Sequence, residues 1–273
     1  ETIVIDNASY DGSEKVVAEY PKAIFIQSDR NLGFAGANNL AAEKAAAETL
    51  LFLNPDTILQ KDALSKMMAK LWGREENGIT GPVLKNADDS IQTSCVLTFP
   101  TIMRQLLDSD IMVNASSLWE KLKKTQGEGI RVEAVSGAGL MIKTEVFKKT
   151  GGFSEYYFMY SEDVDLCFKA NRLGFATTLT TDAQITHFGG GSSKKQYARD
   201  FVYVNQQHST YLFMKSNYNH FYAVLYKTVM AFNAILRMIM LPFYFFPRYK
   251  GINAAFGKWL SIFKWAVCLK QLA

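Results

Sequence analysis

Two carboxylates in this 273-residue sequence follow runs of apolar residues typical of buried strands. Asp6 ends the run TIVID, and Asp56 comes three residues after the run TLLFL. A carboxylate in this position suits a hard divalent cation whose other ligands are phosphate oxygens and water. The alternative is that 54–57 (NPDT) is only a turn, in which the proline sets the backbone angle and the aspartate caps a later helix.

A second group lies in residues 30–39 (RNLGFAGANN), where two glycines mark the passage from a loop into a helix. Backbone N–H groups at such a helix start could face an anion or a base. The stretch does not match the GxGxxG dinucleotide pattern, and it lacks the lysine and hydroxyl residue of a phosphate-binding P-loop. By itself it therefore does not identify a ligand.

The third group is the acidic stretch 161–165 (SEDVD), which follows Phe-Met-Tyr and begins a predicted helix with Ser161 as its N-cap. Neighbouring carboxylates raise the pKa of one another, and a raised pKa makes one of them a better general base near neutral pH. The alternative is a solvated helix start whose acids interact with the helix dipole.

The fourth group is His187 and the three glycines at 189–191. His187 is one of three histidines and follows a predicted strand. A single histidine is more often structural than a ligand. Three adjacent glycines favour a close approach of the backbone to another group, or a mobile loop.

The elements that must position these groups alternate between apolar runs and helical patterns. Strands are predicted at 2–6, 23–27, 49–53, 175–179 and 183–188, with strand character also in 133–143. Helices are predicted from 13 to 19 and at 35–47, 61–72, 144–149 and 161–173. This alternation predicts an α/β fold with a mostly parallel sheet covered by helices on both faces. Ligands of such sheets lie beyond the carboxyl ends of the strands, which places Asp6, 29–34 and 54–57 on one rim. Residues 100–130 form a polar insertion without a predicted element.

Composition excludes several classes of protein. With 48% hydrophobic and 21% charged residues, the chain is neither disordered nor collagen-like. Its three cysteines, Cys95, Cys167 and Cys268, are widely separated and form no CxxC pair. The sequence therefore predicts neither a zinc site nor a disulfide framework, and it fits a reducing compartment.

The net charge of +4 is unevenly distributed. Residues 194–273 contain eleven Lys and Arg and one acid, a net charge of +10, whereas residues 1–193 carry −6. The basic tail is also rich in aromatic and aliphatic residues, which is more usual at a membrane interface than in a nucleic-acid-binding arm.

Three arrangements of the tail remain open: interfacial helices on a membrane, helices packed on the catalytic domain, or a re-entrant or spanning segment. Lys227 and Arg237 interrupt its apolar run at 221–247, and Pro242 and Pro247 are predicted to break the helix. No uncharged run reaches the roughly 18 residues of a membrane span. In 252–273, three lysines spaced six residues apart do not form one polar stripe, which weakens an amphipathic-helix interpretation.

Taken in order, the motifs resemble glycosyltransferase family 2, the inverting enzymes of the GT-A fold, and in particular their bacterial rhamnosyltransferase-like branch. The matching stretches are IVIDNASYDGS, NLGFAGANN, LLFLNPDT, SGAGLMIKTEVFKKTGGFSEYYFMYSEDVDLCFKANRLGF and THFGGGSS. The resemblance implies a GT-A catalytic domain over 1–200 and a C-terminal helical region over 201–273. Family members normally begin about one strand and one helix earlier, so we expect the N-terminal strand to be missing and the chain as given to transfer sugar poorly.

The resemblance also implies roles for the residues of the first two groups. Asp6 would bind the nucleoside of the sugar donor. The nucleotide pocket would be shaped by Arg30, Asn31, Gly33 and Asn38.

The remaining roles concern the metal and the base. Asp56 would act as the metal-binding acid of a DxD motif, with Asn54 at the other position, a departure from the full motif. His187 would lie near the diphosphate or the metal, which would be Mg²⁺ or Mn²⁺. Asp163 would be the catalytic base, with Glu162 beside it.

The implied function is an inverting transfer of a sugar from a nucleotide-diphosphate donor to a hydroxyl of a glycan or lipid-linked acceptor in cell-surface polysaccharide synthesis. In the resembling branch dTDP-rhamnose is the common donor. We expect a cytoplasmic protein, peripheral on the inner face of the plasma membrane, with no nucleic-acid partner. The alternatives are a sugar-nucleotide nucleotidyltransferase, or an inactive truncated module that binds nucleotide sugars. A processive synthase is disfavoured because 206–210 (QQHST) is not a QxxRW segment.

Overall fold

The computed structural model describes residues 1–106, 129–189, 196–245 and 251–268. These residues divide into two compact units. The sheet unit comprises 1–99 and 129–189, and the helical unit comprises 100–106, 196–245 and 251–268. The domain boundary predicted after residue 200 falls inside the first long helix of the helical unit.

The strands all lie in the sheet unit. They are β1 (Thr2–Asp6), β2 (Ala23–Gln27), β3 (Thr49–Leu53), β4 (Thr57–Leu59), β5 (Asn77–Lys85), β6 (Val96–Leu97), β7 (Ile130–Val132), β8 (Ala134–Val135), β9 (Gly139–Lys143) and β10 (Ala176–His187). The helices are α1 (Ser13–Val17), α2 (Gly33–Lys44), α3 (Ala63–Trp72), α4 (Ile102–Leu106), α5 (Thr144–Thr150), α6 (Glu162–Arg172), α7 (Gln196–Asn217), α8 (His220–Phe245) and α9 (Ile252–Val267). A 3₁₀ turn covers Thr93–Cys95.

The main sheet has six strands in the order β3-β9-β5-β10-β4, with β7 also paired to β10. Strands β1 and β2 form a separate parallel pair, and β6 pairs with β8. The prediction of mostly parallel pairing is wrong for the main sheet, where only β5 and β10 run parallel. Strand β9 runs antiparallel between β3 and β5. A continuous apolar run indicates burial on both faces and leaves the strand direction open.

Most predicted elements agree with the structure within a few residues, and the first three strands agree in both bounds. The two strands predicted at 175–179 and 183–188 are one strand, β10, with a register shift against β5 between Thr180 and Gln184. The sequence break therefore marks an irregularity within a strand. Most of the unassigned insertion, 107–128, lies outside the described residues.

The core of the sheet unit includes strand β9 and a cluster of aromatic rings. Every residue of β9 is buried. Phe52 of β3 and Phe147 of α5 both contact the ring of Phe153, with centroids 4.8 and 5.7 Å away. Such edge-on aromatic contacts add stability beyond the area that they bury. The loop that carries Phe153 is thereby fixed to the sheet.

The helical unit has a core of its own between α7, α8 and α9. Its buried residues are Met214, Ala223, Tyr226, Met230, Ala234, Trp259, Ile262 and Trp265. Pro242 lies inside α8, so the break predicted there is wrong. A proline this close to the end of a helix removes one hydrogen bond from the last turns and leaves the preceding ones intact. Pro247, the second predicted breaker, lies outside the described residues.

Candidate active site

Asp6, at the end of β1, organises the loop that follows it. Its carboxylate accepts hydrogen bonds from the Ser9 hydroxyl at 2.6 Å, the Ser9 N–H at 2.8 Å and the Tyr10 N–H at 2.9 Å. The Ser9 hydroxyl bond is the main cause that lowers the pKa of Asp6. Asp6 is therefore an ionised anchor of the loop, and a nucleoside at this position would share its oxygens with these donors.

Asn7 joins this loop to the start of α2. Its side-chain oxygen accepts from the Leu32 N–H at 2.7 Å, and its amide donates to the Asn31 side chain and the Gly33 carbonyl, both at 3.1 Å. Gly33 has φ +69°, and a Cβ there would lie 3.2 Å from the Phe158 carbonyl oxygen. Asn7 follows Asp6 in the chain and bonds to Asn31 and Gly33, so the structure brings these three predicted residues together. Asn7 itself was not predicted from the sequence.

Arg30 lies in the loop before α2, and Asn38 lies within α2. Arg30 lines a cavity of about 430 Å³ together with Asp29, Leu32 and residues on one face of α2. Asn38 donates to the Phe34 carbonyl one turn earlier in α2, at 2.9 Å. Its side chain is therefore engaged within its own helix.

Asn39, next to Asn38, makes the longer-range contacts of this helix. It accepts from the Phe153 N–H and donates to the Phe153 carbonyl, each at 2.9 Å, and it also donates to the Glu155 carboxylate at 2.9 Å. These bonds span more than 110 residues of sequence, so no local pattern could have revealed them. Asn39 fixes α2 against the 152–155 loop.

The residues predicted for the metal meet where β3 and β10 end. His187 Nε2 lies 3.2 Å from Asp56 Oδ1 and 3.4 Å from the Asn54 amide nitrogen. On its other side, His187 Nδ1 lies 3.0 Å from Gln92 Oε1, and the Gln92 amide donates to the His187 carbonyl at 2.6 Å. Since an amide oxygen can only accept, Nδ1 carries a proton, and in the neutral ring the Nε2 lone pair faces Asp56. Gln92 was not predicted from the sequence.

These side chains fit a divalent cation. A neutral imidazole nitrogen and a carboxylate oxygen are ligands of Mn²⁺, and neighbouring ligands of an octahedral ion lie about 3 Å apart. In the neutral ring, the two acceptor atoms of His187 and Asp56, 3.2 Å apart, have no hydrogen to share. Within the described residues, no cluster of three or more His, Cys, Asp and Glu side chains could hold a metal, so the remaining ligands would come from Asn54, the donor or water.

The acidic pair lies at the first turn of α6. Asp163 Oδ2 accepts from the Gly137 N–H at 2.9 Å, and Asp163 Oδ1 accepts from the Val164 N–H at 2.8 Å. Glu162 is buried, and its Oε2 has no hydrogen-bond partner. Burial, with the nearby charge of Asp163 as a second cause, raises the pKa of Glu162 to about 8, and burial also raises the pKa of Asp163. The pair therefore holds a proton near neutral pH, as a general base must be able to do.

The turn at 136–139 connects the acidic pair to the metal candidates. The Gly137 N–H donates to Asp163, and the Ala138 carbonyl accepts from the Asn54 N–H at 3.2 Å. A Cβ on Gly137 would lie 3.0 Å from the Phe34 ring and 3.5 Å from the Asp163 Cβ. The predicted base and the predicted metal residues thus adjoin successive residues of one turn.

Asp165, the third acid of this stretch, has a structural role. It is fully buried and accepts from the Ser154 hydroxyl at 2.6 Å and from the Tyr157 hydroxyl at 3.2 Å. Lys169 lies 3.2 Å from its carboxylate and also donates to the Gly152 carbonyl at 2.7 Å. Asp165 therefore fixes the 152–157 loop against α6 and so supports the position of Asp163.

Comparison with known families matches residues 1–150 of the chain, more than half of its length, to the family described as glycosyl transferase family 2. The chain belongs to glycosyl transferase family 2. Both the family and the enzyme class expected from the motifs are confirmed. The chain is a glycosyltransferase of the rhamnosyltransferase-like kind associated with polysaccharide biosynthesis.

Individual relatives of this family 2 transferase show how far the likeness extends. The chain is 25% identical to N-acetylglucosaminyl-diphospho-decaprenol L-rhamnosyltransferase of Mycobacterium tuberculosis in an alignment of 235 residues. The alignment covers 80% of this chain and 75% of that protein. It is 23% identical over 176 residues to rhamnosyltransferase WbbL of Escherichia coli, covering 62% of the chain and 66% of WbbL. The mannosyltransferase PcManGT of Pyrobaculum calidifontis, solved with GDP-Man and Mn²⁺, is similar in structure, with a TM-score of 0.54 and 17% sequence identity. The superposition covers 98% of this chain and 76% of the PcManGT chain. The α/β architecture of this family 2 transferase is the GT-A fold, as expected from its motifs.

Proposed function

We propose that the chain is an inverting glycosyltransferase that moves a sugar, rhamnose in our assignment, from a nucleoside-diphosphate donor to a hydroxyl of a glycan or lipid-linked acceptor. The observation that supports it best is that one turn, 136–139, contacts both groups: the Gly137 N–H donates to Asp163, and the Ala138 carbonyl accepts from the Asn54 N–H. Burial raises the pKa values of Asp163 and its neighbour Glu162. The rhamnose assignment takes its support from the mycobacterial and Escherichia coli relatives.

In this mechanism Asp163 removes the proton of the acceptor hydroxyl as the hydroxyl attacks the anomeric carbon. The N–H groups of Gly137 and Val164 hold its carboxylate in one orientation, so it is aligned before the acceptor arrives. Glu162, protonated below about pH 8, adds no second negative charge that would oppose the approach of a donor. One carboxylate acting on one face of the sugar gives inversion, and no second nucleophilic carboxylate is needed.

The leaving nucleoside diphosphate gains negative charge during transfer. Asp56 and His187, with Asn54 beside them, would hold Mg²⁺ or Mn²⁺, which supplies positive charge to the diphosphate when bound. The Mn²⁺ in the solved PcManGT complex supports a divalent ion in this fold. Asp6, Asn31 and Gly33, joined through Asn7, would form the nucleoside side of the donor site, with Arg30 and Asn38 at its edge.

We also assign a membrane setting to the enzyme. The mycobacterial relative is named for an acceptor that carries a decaprenol lipid, and such an acceptor stays in a bilayer. A transferase that uses nucleotide sugars and a lipid-linked acceptor would work as a peripheral protein on the cytoplasmic face of the plasma membrane. The net charge of +10 in residues 194–273 supports this setting, because that leaflet is anionic.

The proposal is tested by a donor screen. UDP-, dTDP- and GDP-sugars are tested with Mn²⁺ for binding by thermal shift and for transfer or hydrolysis by nucleotide release. We expect Asp163→Asn to lower turnover by about 10²- to 10⁴-fold while donor binding persists. Asp62→Asn, the same change at the exposed N-cap residue of α3, is the control and should leave turnover unchanged. Donor binding without turnover in the unaltered chain would favour an inactive binding module, and full turnover in Asp163→Asn would exclude Asp163 as the base.

A further inference from the structure

The longest helix of the described chain, α8, presents an uncovered apolar face. Phe221, Phe232 and Phe243 are 77%, 72% and 72% exposed. The large side chains of this face, all exposed, are Phe221, Val224, Leu225, Phe232, Ile235, Leu236, Ile239 and Phe243. Their spacing of three, four or seven residues places them on a single stripe of the helix. We call it the α8 stripe.

The opposite side of α8 is already in use. Ala223, Tyr226, Met230 and Ala234 are buried against residues of α7 and α9. The α8 stripe therefore remains after the helical unit has formed its own core. Thr228 is the only polar residue along the stripe, and no charged residue interrupts it. At a rise of about 1.5 Å per residue, the stripe runs for about 33 Å.

The sequence segment that contains the α8 stripe is basic. Asp200 is the one acidic residue among the eighty residues from 194 to 273, against eleven Lys and Arg. Several of these cations lie on aromatic rings: Lys258 is 4.8 Å from the ring of Tyr203, and Arg237 is 5.3 Å from that of Trp259. Long basic side chains and aromatic rings with polar edges are the residues that proteins place at the level of lipid headgroups. An apolar face within a cationic unit has the chemistry of a surface for anionic lipids.

We propose that the α8 stripe docks on an anionic lipid bilayer, with α8 lying in the plane of the interface. This builds on the proposed function, because it names the surface through which the enzyme would reach a lipid-linked acceptor. A soluble partner is less suited, since a protein interface of this length normally carries several polar groups, whereas Thr228 is the one polar residue along this stripe. An extended apolar face of this kind is rare on soluble monomers.

The in-plane orientation follows from the two cations of α8. His220–Phe243 is long and apolar enough to cross a membrane by length and composition, with 28% of its most apolar window buried. A crossing would place Lys227 or Arg237 within the hydrocarbon, where a charged side chain is strongly unfavourable. In the plane of the interface, only the α8 stripe enters the acyl region and both cations stay outside it.

The test uses the full chain and sedimentation with lipid vesicles. The probes are phosphatidylglycerol mixed with phosphatidylcholine, and phosphatidylcholine alone. We expect the chain to bind the mixed vesicles, to bind phosphatidylcholine less, and to be released by high salt or alkaline carbonate. The variant Phe232→Glu/Ile239→Glu should lower partition into the mixed vesicles by about tenfold or more. The control Leu64→Glu/Leu173→Glu makes the same kind of change at exposed residues of the sheet unit and should bind as the unaltered chain does.

Three results would overturn the proposal. The first is equal vesicle binding by the stripe variant and the unaltered chain. The second is retention on membranes after alkaline carbonate, which indicates a spanning helix. The third is a dimer in sedimentation that the stripe variant abolishes while vesicle binding is unchanged, because a second copy would then cover the stripe. Circular dichroism and binding of dTDP with Mn²⁺ are measured for every variant. Retained fold and nucleotide binding separate a loss of docking from a failure of the proposed function.

Discussion

Asp56 Oδ1 lies 3.2 Å from His187 Nε2, although 131 residues of sequence separate the two. Gln92 Oε1 accepts from Nδ1, the far nitrogen of the His187 ring, so in the neutral ring Nε2 and the Asp56 carboxylate are two proton acceptors that face each other. Such a pair is stable when a cation or a proton lies between them. The arrangement indicates a site prepared for a positive charge, and it gives the first two predictions.

The first prediction concerns the carboxylate. Asp56→Asn should lower the affinity for Mn²⁺ by at least about tenfold, because an anionic oxygen ligand becomes a neutral amide. Free Mn²⁺ is measured by electron paramagnetic resonance during a titration in the presence of dTDP. Asp62→Asn is the matched control and should titrate as the unaltered chain does. Equal Mn²⁺ affinity in Asp56→Asn would remove Asp56 from the metal site.

The second prediction concerns Gln92, which positions the histidine. Gln92→Met keeps a similar length but removes both hydrogen bonds to His187, so Mn²⁺ affinity should fall by about 10- to 100-fold. The ¹⁵N shifts of the imidazole should also show a mixture of tautomers. Gln60→Met is the control, because the Gln60 side-chain amide donates to the hydroxyl of Thr186, the neighbour of His187 in β10, at 3.2 Å. An unchanged tautomer would show that other contacts fix the ring.

The third prediction follows from the buried carboxyl of Glu162. Because burial raises its pKa from 4.5 to about 8, the folded chain keeps a proton that the unfolded chain releases. The stability contributed by this proton is complete below about pH 4.5 and is lost as the pH rises through about 8. Glu162→Gln does not titrate, so its melting temperature relative to the unaltered chain should rise by several degrees between pH 6 and pH 9.

Differential scanning fluorimetry across this pH range measures the effect. Glu155→Gln, at an exposed carboxylate near the same loop, is the control and should show a difference independent of pH. If the melting difference between Glu162→Gln and the unaltered chain were also constant from pH 6 to pH 9, Glu162 would have an ordinary pKa.

The fourth prediction concerns the buried ion pair of Asp165 and Lys169. Asp165→Asn should lower the free energy of unfolding by about 3 kcal/mol, because Lys169 would remain partly buried without its counter-charge. Glu145→Gln breaks the same i,i+4 type of pair with Lys149, but there both side chains are more than half exposed. The control should cost at most about 1 kcal/mol. Urea unfolding measures both, and similar losses in the two variants would contradict the structural role of Asp165.

Much of the sheet unit could be predicted because its signals are local. The run Thr49–Leu53 is apolar throughout and bounded by polar residues, and the strand has these bounds. The acids of the candidate site could be selected because they follow such runs or begin a helix. The proximity of Asp56 to His187 then follows from the rule that strand ends share a rim, because β3 and β10 end there.

What the sequence did not reveal depends on partners that are distant along the chain. Gln92 is 95 residues from His187, and Asn39 is more than 110 residues from the loop that it fixes. Neither has a local pattern that distinguishes it from a surface amide. The direction of β9 was missed for a related reason, since its burial between two other strands is the same whichever way it runs. The break predicted at Pro242 failed because a proline near the end of a helix leaves the preceding hydrogen bonds intact, and α8 ends only three residues later, at Phe245.

The 136–139 turn has a consequence for substrate choice. The turn contacts Asp163 and Asn54 through main-chain atoms, the Gly137 N–H and the Ala138 carbonyl. The spacing of these two contacts is therefore set by the backbone of the turn. In the proposed mechanism, this turn sets the gap between the atom that accepts a proton and the group that departs. The distance between the base and the leaving group would then be fixed at the depth of one sugar ring. Differences in donor preference among its relatives should therefore arise from side chains that contact the sugar, while the distance between base and leaving group stays constant.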